Sequence, residues 1–178
     1  MKRKDFLKGA AGTMAMAAFF GTGMNATTAA AEGTLEEKVQ YLLDREAITE
    51  CQYRYARGCD LQDAELLASA FDETISVDYP TGTKLADVPG LGMAQGIVGN
   101  FIENGITTQH YMNLYEIKID GDTAAALVYL RATHKKVDAD FWIVGGFYEN
   151  SYVRTANGWK IKTVKLTTVY EEGESYTG

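Results

Sequence analysis

Two stretches of opposite periodicity constrain what this chain can become. From Thr34 to about residue 106 apolar residues recur every three or four positions, broken by one short alternating segment; from Thr108 to Tyr170 they alternate one by one. Tight-turn pairs at Asp120–Gly121 and Asn157–Gly158 fold the alternating part back on itself. Helices collected in the first half and an antiparallel meander in the second define an α+β fold, because each half has an apolar face that the other can cover.

The helical half opens at Thr34-Leu-Glu-Glu37, a capping box in which Thr34 and Glu37 satisfy each other's free backbone N–H. Val39, Leu42, Leu43, Ala47, Cys51 and Tyr55 then mark an amphipathic helix to about Arg57, with Gly58 as its expected end. A second helix is predicted over about 63–71 with Leu66, Leu67 and Ala70 inward. Ser76–Tyr79 reads as a short strand stopped by Pro80, 81–92 as a loop, and 92–106 as a third, weaker helix. The meander is predicted as 108–119, 124–136, 141–154 and 159–170, with a polar, frayed tail after Glu171. No internal repeat or Gly-rich phosphate loop interrupts it.

The N-terminus has the form of an export signal. Lys2, Arg3 and Lys4 precede a mostly apolar run from Phe6 to Met24, and Ala29–Ala31 supplies a small-residue cleavage site. Arg3–Lys8 resembles a twin-arginine export motif with lysine in the second place. The expected division is therefore residues 1–31 as signal and 32–178 as one domain, the other reading being an uncleaved anchor. The mature protein is expected outside the cytoplasm, as a periplasmic or otherwise extracytoplasmic species.

The formal net charge is −7, and the predicted signal carries four of the basic residues. An acidic mature chain with no basic cluster argues against nucleic acid and anionic membrane as partners. Cys51 and Cys59 lie eight residues apart in one predicted helix, roughly 12 Å between Cα atoms. A disulfide needs less than about 7 Å.

Chemistry falls to few residues. His110 and His134 are the two histidines, both in predicted strands. His134 shares strand parity with Ala126, Val128, Leu130 and Ala132, so it points where those aliphatics point. It reads equally as a buried histidine bonded to a backbone carbonyl. An imidazole relays protons at neutral pH when a carboxylate fixes its tautomer. Asp60, just past the first helix, is a candidate partner; it also suits a helix cap, a job Asp63 could take instead. Tyr79 reads as a core-edge tyrosine on residue type alone. Tyr53, Tyr55 and Cys59 lie along the first helix, and tyrosine hydroxyls among apolar side chains would suit a flat, mostly apolar ligand.

Leu43-Asp-Arg-Glu-Ala-Ile48, Tyr53-Arg-Tyr55 and Cys59-Asp60-Leu-Gln-Asp63 together resemble the first helix of SnoaL-like, NTF2-type proteins. Thr108-Gln-His-Tyr111 and Leu130-Arg-Ala-Thr-His134 resemble the two histidine strands of scytalone dehydratase, and Gly158-Trp-Lys160 the family's final hairpin. The resemblance runs over about 35–170. It implies an NTF2-like cone, in which a curved antiparallel sheet wraps around the N-terminal helices and encloses one pocket.

The same resemblance implies a cofactor-independent dehydratase acting on a cyclic hydroxy-ketone or a related polyketide- or steroid-like compound. His110 would be general base and acid, Asp60 its hydrogen-bond acceptor and His134 a second proton-handling or orienting group. Tyr79 would help hold a water or carbonyl oxygen, while Tyr55, Cys59 and Asn150 would contact substrate. Cys59 falls where the family has a second water-holding tyrosine. No metal is implied, although Asp60, His110 and His134 could in principle make a facial triad. A homo-oligomer, dimer or trimer, is expected on the same ground. The competing readings are a ketosteroid-type isomerase, a polyketide cyclase, and a non-catalytic ligand-binding module.

Overall fold

A computed structural model describes residues 33–176. Residues 1–31, read above as an export signal, lie outside the described residues. The elements run α1 (Leu35–Asp60), α2 (Ala64–Ala70), β1 (Phe71–Asp78), β2 (Lys84–Pro89), α3 (Gly90–Glu103), β3 (Ile106–Asp120), β4 (Thr123–Lys136), β5 (Trp142–Thr155) and β6 (Gly158–Glu172). Among the described residues six strands form one sheet in the order β2-β1-β6-β5-β4-β3. All pairs are antiparallel except β1 with β6. The sheet does not close: β2 and β3 are its free edges, and it curves over the three helices as an α+β cone.

Local chemistry starts the helices as the sequence predicts. Glu37 N donates to Thr34 Oγ1 at 3.2 Å, and Thr34 N to Glu37 Oε2 at 2.7 Å, completing the capping box. Asp63 caps α2 by accepting from Leu66 N at 2.9 Å. That leaves Asp60 free for another role.

Gly58 is a correction. It does not end α1 but sits within it, where a Cβ would lie 2.5 Å from both Leu67 N and Leu67 Cα. The absent side chain lets α1 and α2 approach backbone to backbone. The inward stripe of α1 also differs from the one predicted. Val39, Leu42 and Leu43 are exposed, Tyr53 is 46% exposed, and the buried positions are Asp44, Ile48, Cys51, Gln52, Tyr55, Ala56, Gly58 and Cys59. Burial begins only at Asp44, where the β5–β6 hairpin meets the helix. Arg154 makes a two-pronged ion pair with Asp44 at 2.6 and 2.7 Å, and Trp159 Nε1 donates to the same carboxylate at 3.1 Å. These bonds hold Asp44 below its ordinary pKa, the Arg154 hydrogen bond contributing most.

Two further expectations give way. The 81–92 segment is not all loop: Lys84–Pro89 pairs with β1 as an edge strand. Its composition is loop-like because an edge strand needs partners on one side only. The tail is not frayed up to residue 176 either. Trp142 Nε1 donates to Glu171 Oε2 at 3.1 Å, and the Tyr176 ring meets Trp142 edge-on at 6.1 Å.

The sheet's curvature comes from irregular register. One shift falls at Gly145/Gly146 against β6 and another between Leu114 and Glu116 on β3. A Cβ at Gly146 would lie 2.2 Å from the Thr167 carbonyl oxygen, so the strands approach there as only glycine allows. Along β4 the predicted alternation holds: Ala126, Val128, Leu130, Ala132 and His134 are buried, while Tyr129 and Arg131 face outward. No helix among the described residues is long and apolar enough to cross a membrane.

Candidate active site

The concave face of the sheet, helices α1 and α3, and the β1–β2 hairpin line an open-mouthed cavity of about 890 Å³. Leu130, Ala132, Val144, Leu166, Met93, Ile97 and Phe101 give it apolar walls. Tyr55, Cys59, Tyr79, His110, His134 and Tyr148 bring polar atoms to the same space. Glu171, near the end of β6, is the one carboxylic side chain among the lining residues.

Asp60 ends α1 beside β3, the free edge of the sheet. A strand edge leaves outward N–H groups without a partner, and Asp60 Oδ2 accepts that of His110 at 2.9 Å. Asp60 Oδ1 takes the His110 ring at Nδ1, 2.6 Å away, and the Thr108 hydroxyl at 2.9 Å. One carboxylate therefore fixes both the main chain and the ring of His110. Burial alone would raise the Asp60 pKa. The hydrogen bond from the His110 ring, the charge interaction with it, the His110 backbone N–H and Thr108 outweigh that and hold the carboxyl below its ordinary value. An ionised carboxylate against Nδ1 puts a ring proton there, so that in the neutral form of the ring the lone pair is on Nε2.

His134 sits on the neighbouring strand, its ring centroid 6.1 Å from that of His110. Its Nδ1 lies 3.3 Å from the Trp142 carbonyl oxygen, and its ring stacks on Trp142 at 4.2 Å. A carbonyl only accepts, so this nitrogen too carries the proton and Nε2 is the acceptor. Burial, reinforced by the charge of His110, lowers the His134 pKa to about 4. At neutral pH His134 is an uncharged acceptor and no acid.

Tyr55 Oη lies 3.4 Å from both Tyr79 Oη and Tyr148 Oη. Burial raises all three phenols, Tyr79 to about 12, so all stay protonated. Cys59 lines the wall, its thiol raised by burial and then by the charge of Asp60. Among the described residues no group of three or more His, Cys, Asp or Glu side chains is placed to hold a metal ion.

Asn150 is corrected by depth. It is 1% exposed and is not among the residues lining the cavity. Its amide donates to Gln52 Oε1 at 3.0 Å, in a core network that Tyr152 joins through its hydroxyl at 2.8 Å. Tyr148, two residues earlier on β5, is the one that reaches the cavity. Its parity with Asn150 was visible in the sequence; its distance along the cone was not. Trp142 and Thr108 were likewise missed, since neither titrates: Trp142 holds the His134 ring, and Thr108 donates to the Asp60 carboxylate.

A curved open sheet over N-terminal helices with a polar-lined apolar cavity is the NTF2-like class of cone. The chain belongs to the SnoaL-like domain family, which matches residues 40–165. A protein of Kribbella flavida is 31% identical and superposes with a TM-score of 0.69, covering 74% of this chain and 95% of its own. A provisionally named scytalone dehydratase of Novosphingobium aromaticivorans is 22% identical with a TM-score of 0.66, over 78% and 92% of the two chains. The hexachlorocyclohexane dehydrochlorinase LinA-type3 of Novosphingobium barchaimii is 18% identical with a TM-score of 0.65, over 78% and 94%. These last two share the fold. No curated protein matches the sequence.

Proposed function

We propose that this protein is an exported, cofactor-independent dehydratase that removes water from a cyclic hydroxy-ketone or related polyketide- or steroid-like compound. One observation carries the reading: an imidazole that lines an apolar cavity is oriented through Nδ1 by a partly buried carboxylate, which makes Nε2 of the neutral ring the base. His110 Nε2 takes the proton from the carbon next to the carbonyl, and the C–H electron pair passes through the new C=C bond to the carbonyl oxygen. When that charge returns, it expels the hydroxyl on the next carbon. The same imidazolium protonates the departing oxygen, so the elimination is syn and His110 ends as it began. Asp60 stabilises the imidazolium between the two transfers. Neutral His134 orients the leaving hydroxyl by accepting from it, and Tyr79 donates to the carbonyl oxygen or to a water beside it.

A cavity of about 890 Å³ lies within the usual range for small-molecule sites, and its walls suit a large neutral ring compound. A homo-oligomer, dimer or trimer, is part of the proposal: Tyr111 and Tyr129 are 61% and 51% exposed on the outer face of neighbouring strands. The test is a set of cyclic β-hydroxy-ketones with mass analysis of the product. Loss of one water, abolished in a folded His110→Ala variant, is expected. A product of unchanged mass would instead mean isomerisation or cyclisation, and turnover undiminished in His110→Ala would overturn the mechanism.

A further inference from the structure

A bulge in β6 brings a carboxylate to the cavity. Leu166 and Thr168 line the cavity, and strict alternation would put Tyr170 there next. The register instead pairs Gly146 with Thr168 and Gly145 with Tyr170, so Val169 is an extra residue on its strand. Tyr170 lies over Gly145 on the outer face, where a Cβ at Gly145 would run into its ring. Glu171 comes round to the inner face opposite Val144, and both line the cavity.

No lysine or arginine lines the cavity beside Glu171. Its Oε2 accepts from Trp142 Nε1 at 3.1 Å, and its Oε1 has no donor among the described residues. An ionised carboxylate only accepts, and it has room for more than one donor. The Trp142 bond holds the carboxylate against the wall, and position decides what can reach its free oxygen. His110, His134, Trp142 and Glu171 stand on four consecutive strands, β3, β4, β5 and β6. Three spacings of about 4.8 Å leave roughly 14 Å of sheet between the strands of His110 and Glu171. Leu130, Ala132 and Val144 form the wall between them. The cavity therefore has two polar ends and an apolar middle, a span that a rigid fused-ring compound bridges and a single ring does not.

We propose that Glu171 is a specificity-determining residue: its free oxygen accepts from a hydroxyl at the end of the ligand remote from His110, and its charge turns away ligands that carry a carboxylate there. The ligand class is a rigid, uncharged, fused-ring compound with an O–H donor at its far end. The inference rests on the reading of the cavity as the site of a large ring compound and adds the group recognised at its mouth.

Phenanthrenes that differ at one position test it: 2-phenanthrol donates a hydrogen bond, 2-methoxyphenanthrene does not, and phenanthrene-2-carboxylate is an anion. Their affinities for the purified protein are read by calorimetry, with no turnover involved. Wild type should bind the phenanthrol about fivefold more tightly than the methoxy compound, the size of one net hydrogen bond. Glu171→Gln keeps an acceptor for the Trp142 N–H and turns an amide donor to the cavity. In this variant the phenanthrol preference should fall to about one. The carboxylate should gain about fivefold, the size of one unit-charge pair about 4 Å apart in water. The methoxy compound should bind as before, as the control for folding. Should Glu171→Gln not fold, Glu171→Asp decides: withdrawing the charge by one methylene should abolish the phenanthrol preference and leave the carboxylate the weakest ligand. No phenanthrol preference in wild type, or wild-type ratios retained in the variant, overturns the proposal. So does an equal loss for every probe, which would make Glu171 a support for Trp142 alone. No probe is a hydroxy-ketone, so failure of the dehydratase reading leaves this result standing, and the reverse.

Discussion

The Asp60 carboxylate holds His110 twice, accepting from ring Nδ1 at 2.6 Å and from the same residue's backbone N–H at 2.9 Å. The two bonds fix the imidazole's position relative to its own strand. Replacing Asp60 by Asn keeps the shape but puts an amide where the ring needs a charged acceptor. The ring proton then has no strong preference for Nδ1, and the imidazolium loses its counter-charge. Turnover of the proposed substrate class should fall about 10²-fold or more, mostly in kcat. Steady-state kinetics of D60N beside its circular dichroism spectrum checks this; equal kcat in a folded variant would remove Asp60 from the mechanism.

His134 makes the fold sensitive to mild acid. Its pKa is about 4 when folded, against 6.5 when unfolded. Between those values the unfolded chain binds the proton and the folded one does not, so stability rises with pH across that window and is fully present above about 6.5. Acidification from pH 7 to 5 should cost on the order of 2 kcal/mol through this residue. Urea unfolding of wild type and His134→Gln at both pH values measures it, and the variant should lose that part of the slope.

Gly58 should tolerate no side chain. A methyl group there would meet Leu67 backbone at 2.5 Å, and backbone cannot swing aside as a side-chain end can. Gly58→Ala should destabilise by about 2–3 kcal/mol by forcing α1 from α2, although alanine is the better helix former. Thermal unfolding of the variant gives the sign directly. A stabilised protein would mean that the helices part easily.

Both cysteines should be inert. Cys51 is buried, its thiol pushed up to about 11, and it donates to the Ala70 carbonyl; Cys59 is buried beside Asp60. The reactive form is the thiolate. An Ellman titration at pH 8 should find neither thiol reactive in the native protein and both reactive in denaturant. Fast labelling of Cys59 in the native state would show the cavity opening to solvent.

What periodicity and local chemistry determine was legible in the sequence. The Thr34 capping box, the Asp63 cap, the four long strands and the inward side of β4, with His134 on it, are settled by residues within a few positions of one another. The tertiary structure decided what depends on crossing distances and depth. Asp60 and His110 are fifty residues apart and meet because α1 ends beside an unpaired strand edge. Gly58 reads as a helix end until α2 is seen against it. Asn150 and Tyr148 share a strand face, and only the curvature of the cone places one in the core and the other on the cavity wall. Lys84–Pro89 becomes a strand because β1 offers it an edge. Alternation names the face a side chain occupies; how far along that face the helices fill the cone is a property of packing, and no local pattern encodes it.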